Sequence, residues 1–157
     1  MAARQADVEP WIDTVNRALD GVDAKIALHI CFGNLNNKPF NAPRTYSHLL
    51  PHLGRVRAGQ LVLEFGNREL GEIERMAGLV ADKELGFGCV DVKAFRVEPP
   101  EAVAERIRTA LKHVPAERLY VNPDCGFWDT PRWICRRKLA SMVEGARIVR
   151  AELEGRG

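Results

Sequence analysis

The stretch KIALHICF, residues 25–32, decides the fold class because it is largely apolar and has the length of one β-strand. Apolar residues at helical spacing precede it over residues 8–20, and Gly21 ends that helical pattern. A loop rich in Asn, Gly and Pro follows at residues 33–43. A short apolar strand between a helix and a polar loop is typical of a parallel sheet whose faces are covered by helices.

Three further apolar runs repeat this arrangement along the chain. One helix followed by four strand–helix units predicts an α/β fold with parallel strands. A small doubly wound sheet and half of a (β/α)8 TIM barrel both fit this order, because a whole barrel needs about 250 residues and the chain has 157. No Gly-rich phosphate loop follows a strand, which counts against a nucleotide-binding doubly wound sheet. The predicted strands are 25–32, 60–65, 84–92 and 118–122, and the predicted helices are 8–20, 45–53, 70–80, 99–114 and a last one from about 131 to 149.

The composition is that of an ordinary globular domain, with 46% hydrophobic and 28% charged residues. A net charge of +2 is too small to favour nucleic acid or an anionic membrane, and the basic run Arg136-Arg137-Lys138 is interpreted as a solvated helix face. No apolar stretch approaches the roughly 20 residues of a membrane-spanning helix, and the N-terminal residues lack the apolar region of a signal peptide. We therefore expect a single domain over residues 1–157 of a soluble, cytoplasmic protein.

Reactive side chains stand at the predicted ends of all four strands, where parallel α/β folds gather their functional residues. His29 and Cys31 share one side of the first strand because side chains two positions apart face together. Glu64 directly follows an apolar run, and a carboxylate in such a place is seldom buried without a partner. The complete set is His29 and Cys31, then Glu64, then Asp91 and Lys93, and last Asp124 and Cys125.

Four of these side chains are ligands that zinc favours, namely His29, Cys31, Glu64 and Cys125. Taken singly, His29 and Cys31 are more simply interpreted as core residues, but candidate ligands at two other strand ends favour a metal site. Two thiolates and a carboxylate around a divalent ion give a formal charge of about −1. Such a site is expected to hold a substrate thiol as thiolate, ready to attack an electrophilic carbon. The ligand set excludes magnesium and calcium better than it excludes iron or cobalt.

The other cysteines and histidines carry no predicted chemistry. Cys89 is expected to pack in the third strand and Cys135 in the last helix, as small buried thiols. The remaining three histidines are expected on helix surfaces or in loops without a partner, and they are His48, His52 and His113.

Several motifs occur in a fixed order with characteristic spacing. They are HIC at 29–31, LEFGNRE at 63–69, VDVKAFRVEPPEAVAERI at 90–107, LYVNPDCGF at 119–127 and KLASMVEGARIVR at 138–150. Together they resemble the C-terminal catalytic domain of cobalamin-independent methionine synthase. The resemblance covers nearly the whole chain from about Ile26 onward, and NPDCG followed by K-L-x-x-M-V-x-x-A is its most specific part.

This resemblance implies a zinc-dependent methyltransferase on a (β/α)8 barrel. It implies that Zn²⁺ binds the thiol of homocysteine, which takes a methyl group from a methyltetrahydrofolate-type donor. The zinc ligands of the family fall on His29, Cys31, Glu64 and Cys125, and the glutamate is expected to loosen as the substrate thiol binds. Asp124 is a candidate for orienting the loop or a ligand.

One residue departs from the family pattern. Lys93 occupies a position where the family commonly has a histidine suspected of transferring a proton to the folate leaving group. A lysine can donate a proton if its pKa is lowered, or it can contact an anionic substrate. The departure keeps open a related zinc-dependent thiol alkyltransferase with another electrophile, similar to the enzymes that alkylate coenzyme M with epoxides.

The resemblance extends only over the last four strand–helix units of the barrel, so the predicted fold is the C-terminal half of a TIM barrel. Half a barrel exposes two unpaired strand edges, which favours pairing with another chain. We therefore expect a homodimer, a complementing N-terminal half-barrel chain, or a piece of a longer product. A zinc-binding half-barrel without activity of its own is the non-enzymatic alternative.

Overall fold

A computed structural model describes residues 8–35, 37–38, 44–79 and 81–155 of the chain. One helix is followed by four strand–helix units, so the predicted α/β order is confirmed. Short 3-10 turns in the described connections are Gly66–Arg68, Ile73–Arg75 and Ala116–Arg118. The strands are β1 Ala27–Ile30, β2 Gln60–Glu64, β3 Glu84–Val90 and β4 Leu119–Pro123, and the helices are α1 Val8–Ala18, α2 Leu50–Leu53, α3 Met76–Leu79, α4 Pro100–Leu111 and α5 Arg132–Leu153.

The four strands form one parallel sheet in the order β1-β2-β3-β4. Ile30 is paired with Leu63, Leu63 with Phe87, and Phe87 with Val121, so one row of residues crosses the whole sheet. Because the strands are parallel and in this register, their carboxyl ends meet at one edge. The candidate site residues follow at that edge.

The hydrophobic core lies between the sheet and the helices. Leu61, Leu63, Leu85 and Phe87 are fully buried on the strands, since alternate side chains of each strand face the helices. Cys89 is fully buried in β3 as predicted, whereas Cys135 lies in α5 as predicted but is only half-buried. Core members from the helices include Ile12, Met76, Val103, Ala104, Ile107, Ala146 and Val149.

Two predicted helices are shorter than expected. The segment predicted as a helix from 45 to 53 is helical only in α2, and the segment from 70 to 80 begins with a 3-10 turn before the single turn of α3. The second difference has a backbone cause, because Glu69, Leu70 and Glu72 have φ values of 52°, 61° and 69°, which no α-helix accommodates. Residue 80 of the predicted helix, and much of the predicted loop at 33–43, lie outside the described residues.

The interpretation of Arg136-Arg137-Lys138 as a solvated face is right for the two arginines and wrong for Lys138, which is fully buried. The Lys138 ammonium reaches the β3–α4 loop, where it binds the carbonyl of Asp91 at 2.8 Å and the carboxylate of Glu98 at 2.7 Å. Glu98 in turn accepts the backbone N–H of Asp91 at 2.9 Å. These contacts hold the two ends of the loop that carries Lys93 together and attach this loop to α5.

His52 also differs from expectation, because its Nδ1 lies 2.7 Å from a carboxylate oxygen of Glu9. The contact joins the turn of α2 to the start of α1, two elements far apart in sequence that local periodicity does not relate. None of the helices within the described ranges is long and apolar enough to cross a membrane.

Candidate metal centre

His29, Cys31 and Cys125 converge at the carboxyl edge of the sheet. One ligand atom from each lies within 4.8 Å of those from the other two, and the two Sγ atoms are 3.7 Å apart. The predicted proximity of His29 and Cys31 is therefore found, although β1 ends at Ile30 and Cys31 directly follows the strand. An imidazole and two thiols at this separation form a group that can hold one metal ion.

The short distance between Cys31 and Cys125 also shows that the sheet is curved. The two residues follow β1 and β4, which are the outer strands of the described sheet. Three strand spacings of about 4.8 Å would separate these strands by roughly 14 Å in a flat sheet. The sheet must therefore curl, with both loops leaning over its concave side, and a hydrogen bond of 2.7 Å from the Asn34 amide to the Gly126 carbonyl joins the same two loops.

The orientation of His29 leaves one ring nitrogen for a metal. Its Nδ1 lies 3.1 Å from the carbonyl oxygen of Val62 on β2. A carbonyl only accepts hydrogen bonds, so this contact assigns the proton to Nδ1 and leaves the Nε2 lone pair free. A backbone carbonyl that fixes the ring of a metal-binding histidine in this way is a common arrangement.

The two thiols are placed where a cation is needed to ionise them. Burial raises the pKa of the Cys125 thiol, and the nearby Cys31 sulfur raises it further. The Cys31 sulfur accepts a hydrogen bond from the Gly33 backbone N–H at 3.3 Å. Two sulfurs in contact become thiolates together only if a positive charge offsets their repulsion, and a bound metal ion supplies that charge.

Glu64 is fully buried, and its partner is Lys93. The Lys93 ammonium lies 2.6 Å from Glu64 Oε2, and the lysine side chain is only 5% exposed. The other carboxylate oxygen, Oε1, is buried without a hydrogen-bond partner among the described groups. Glu64 is not among the three residues whose ligand atoms converge, so its part as a ligand stays a prediction. The charge of Lys93 offsets the net negative charge expected from sequence for the ligand set.

Asp124 holds the end of β2 against the end of β4. Its Oδ1 accepts the backbone N–H groups of Phe65 at 2.9 Å and Gly66 at 2.8 Å, and its Oδ2 accepts that of Asn67 at 2.8 Å. Burial raises the pKa of Asp124 to about 7, although the three N–H donors favour its ionised form. Gly88 makes this approach possible, because a Cβ there would lie 2.6 Å from Asp124 Oδ1 and 2.7 Å from the Leu63 carbonyl. Both carboxylate oxygens are thus occupied by backbone, an arrangement that orients the loop.

Tyr46 was not singled out from the sequence. It lies in the segment predicted as a helix from 45 to 53, and nothing in its spacing relates it to the strand ends. In the structure it is fully buried, and its hydroxyl contacts both β1 and β2 next to the candidate ligands. The one sequence signal was its type, since a buried tyrosine hydroxyl needs a hydrogen-bond partner.

Comparison with known proteins identifies the family of this chain. The profile of the family described as "Cobalamin-independent synthase, Catalytic domain" matches residues 12–148. The chain belongs to this family.

Methionine synthases are among the curated proteins similar to this chain. It is 38% identical over 154 residues to the "Methionine synthase" of Saccharolobus islandicus strain Y.G.57.14, covering 98% of this chain and 43% of the relative. It is 39% identical over 151 residues to that of Thermococcus kodakarensis, covering 96% and 41%. The chain therefore spans less than half the length of these relatives.

Solved structures give the same result for the fold. The B12-independent methionine synthase of Shewanella sp. W3-18-1, solved in complex with selenomethionine, superposes with a TM-score of 0.85 at 31% identity, over 96% of this chain and 46% of that one. A putative vitamin-B12-independent methionine synthase of Listeria monocytogenes is 23% identical with a TM-score of 0.54 and supports the fold alone. The family resemblance and the partial-barrel α/β fold expected from the sequence are both confirmed.

Proposed function

We propose that the chain is the zinc-binding part of a methyltransferase that transfers a methyl group from a methyltetrahydrofolate-type donor to the thiol of homocysteine. The observation that carries this proposal is the convergence of His29, Cys31 and Cys125 at the carboxyl edge of a parallel sheet, in a chain of the cobalamin-independent synthase family. Related methionine synthases, which are longer than this chain, support the substrates by analogy.

The spacing of the two sulfurs fits zinc. Zinc–sulfur bonds of about 2.3 Å at a tetrahedral angle place two sulfur ligands about 3.8 Å apart, and the Sγ atoms of Cys31 and Cys125 are 3.7 Å apart. The buried Oε1 atom of Glu64 lacks a hydrogen-bond partner among the described groups, so it is available to coordinate a metal ion. We propose His29, Cys31 and Cys125 as constant ligands and Glu64 as the fourth.

Zinc bound there would lower the pKa of a substrate thiol and keep it as the thiolate nucleophile. The protein contributes the arrangement around that thiol. The Val62 carbonyl holds His29 through Nδ1, which leaves Nε2 as the ring nitrogen available to a metal. Asp124 fixes the loop of Cys125 through three backbone N–H groups.

Lys93 is proposed as the positively charged side chain of this site. Its ammonium offsets Glu64 and is held by a loop that Lys138 and Glu98 anchor. When Glu64 turns to a metal, this ammonium is left to contact an anionic group or donate a proton to the leaving group of the methyl donor. A different electrophile would change the group that Lys93 meets without changing the thiol-binding residues.

Residues 1–157 are proposed to form one partial barrel domain that needs a second half for full activity. The described sheet ends on both sides in an outer strand, β1 or β4. Edge strands with unpaired backbone groups bind further strands. The proposed partner is an N-terminal half-barrel from the same family, in the same polypeptide or a separate one, and a second copy of this chain is the alternative.

Zinc content of the purified chain tests the metal site. We expect about one zinc per chain, and we expect Cys125→Ser to lose most of it because one of two sulfur ligands is removed. Cys135→Ser is the matched control, since this cysteine lies in α5 and contacts the Thr130 carbonyl instead. Absence of zinc from the unaltered chain, or equal zinc in both variants, contradicts the assignment.

Methyl transfer is measured with homocysteine and methyltetrahydrofolate, for the chain alone and with an N-terminal half-barrel added. Product that forms only with the added half supports a subunit or fragment of an enzyme. Zinc binding without product in either assay supports the inactive half-barrel. Transfer from another alkyl donor, with none from folate, supports the alkyltransferase alternative.

A further inference from the structure

Tyr46 joins the two strand ends that carry Cys31 and Glu64. Its hydroxyl donates a hydrogen bond to the carbonyl of Ile30 at 3.0 Å and accepts one from the backbone N–H of Glu64 at 2.9 Å. Ile30 is the last residue of β1 and Glu64 is the last residue of β2. One side chain from a distant segment thus links the two strands at the point where they open into the candidate site.

The hydroxyl is suited to act as a spacer of fixed length. The last register pair of these strands is Ile30 with Leu63, so the bridged groups lie at the end of the β1–β2 ladder. The hydroxyl has one proton to donate, which goes to the Ile30 carbonyl, and its oxygen accepts the Glu64 N–H. Both hydrogen bonds are used at once, and the two strand ends are therefore held at a separation set by one oxygen atom.

The position of Tyr46 is itself fixed on several sides. Its ring lies 4.7 Å from that of Phe32 and 6.2 Å from that of Phe65, between centroids. The Arg68 guanidinium lies 4.9 Å from the centre of the same ring. The backbone N–H of Tyr46 donates to Glu72 Oε2 at 2.8 Å. A side chain this constrained can impose its geometry on its neighbours.

Glu72 holds the segment that leads to Tyr46. Its carboxylate accepts hydrogen bonds from the Thr45 hydroxyl at 2.6 Å and the Ser47 hydroxyl at 2.8 Å, and it pairs with Arg68. These contacts attach the connection before α2 to the connection after β2. The spacer is consequently supported by the loop that follows Glu64 itself.

We propose that Tyr46 is a positioning residue of the metal centre, whose hydroxyl sets the distance between Cys31 and Glu64. The proposal rests on the zinc site of the proposed function. It assigns Tyr46 no contact with the metal or the substrate. Its effect is transmitted through the backbone of Ile30, which precedes Cys31, and of Glu64.

The test is Tyr46→Phe, which keeps the ring packing and removes only the oxygen. The control is Tyr120→Phe, which removes a hydroxyl bound to Lys25 and Glu84 at the opposite end of the same sheet. Zinc affinity is measured by competition with a chelator, and the coordination geometry by the visible spectrum of the cobalt(II)-substituted protein. We expect at least tenfold weaker zinc binding and an altered cobalt spectrum for Tyr46→Phe, with Tyr120→Phe close to the unaltered chain.

Wild-type zinc affinity and cobalt spectrum in folded Tyr46→Phe overturn this proposal and leave the metal site intact. A chain that binds no zinc before any substitution overturns the proposed function and this inference with it. If Tyr46→Phe does not fold, 4-aminophenylalanine is placed at position 46, because its amino group keeps a donor there with altered strength. That protein is expected to bind zinc with intermediate affinity, and unchanged affinity again overturns the proposal.

Discussion

Replacing Lys93 by methionine gives the sharpest test of the charge balance at the site. Glu64 is fully buried and Lys93 is 5% exposed, with 2.6 Å between the charged atoms. Methionine fills a similar volume but leaves the carboxylate without its positive partner. Removing one member of a buried ion pair costs about 3–5 kcal/mol, chiefly because the remaining charge stays buried and uncompensated.

Bound zinc is expected to reduce the loss of stability caused by Lys93→Met. A divalent ion beside Glu64 supplies the missing positive charge, so Lys93→Met is expected to cost about 3 kcal/mol or more in chelator and about 1–2 kcal/mol with zinc bound. Urea unfolding followed by circular dichroism measures both values. The double variant Lys93→Met with Glu64→Gln is the matched control, since it removes both charges and should recover much of the loss without zinc.

Two results would refute this reasoning about Lys93 and Glu64. An equal loss with and without zinc would show that the metal does not act on Glu64. A loss below about 1 kcal/mol in chelator would show that the pair is not a buried interaction of the strength that its geometry indicates.

Three further predictions follow from particular contacts. Although partial burial opposes it, the hydrogen bonds that Glu72 accepts lower its pKa from an ordinary 4.5 to about 2. The resulting stabilisation is complete above pH 4.5 and is lost as the pH falls towards 2. Glu72→Gln should remove this pH dependence, which amounts to about 2–3 kcal/mol of unfolding free energy over that range. Lys138→Met should cost about 3–5 kcal/mol by leaving Glu98 buried without its closest cation, whereas the exposed Arg136→Met should change the urea midpoint little. Gly88→Ala should destabilise strongly, since its Cβ would meet the Leu63 carbonyl at 2.7 Å, while Gly78→Ala has nothing within 4 Å and should be neutral or slightly stabilising in thermal melts.

The sheet and half of the site follow from local sequence pattern. Period-two alternation places His29 and Cys31 on one side of a strand, and parallel strands bring their carboxyl ends together. These two rules suffice to bring Cys125 to the same edge. They also account for the burial of Glu64, since a carboxylate that continues an apolar strand stays in the sheet.

The supporting contacts do not follow from local pattern because they join segments far apart in sequence. Tyr46 reaches β1 and β2 from a turn that resembles a short helix in its spacing. Lys138 sits in a basic run that suggests a solvated face, yet its ammonium is anchored by loop carbonyls and by Glu98. Whether Lys93 contacts Glu64 or a substrate depends on the path of its loop, which the spacing of single residues leaves undetermined.

X-ray absorption at the zinc edge tests the central claim most directly, because it counts sulfur ligands. The zinc-loaded chain is expected to show two sulfurs at about 2.3 Å together with nitrogen and oxygen ligands, and added homocysteine is expected to raise the sulfur count to three. Cys31→Ser should show one sulfur fewer under both conditions. A spectrum with nitrogen and oxygen alone, or one that homocysteine leaves unchanged, would contradict a thiol-binding zinc site built from His29, Cys31 and Cys125.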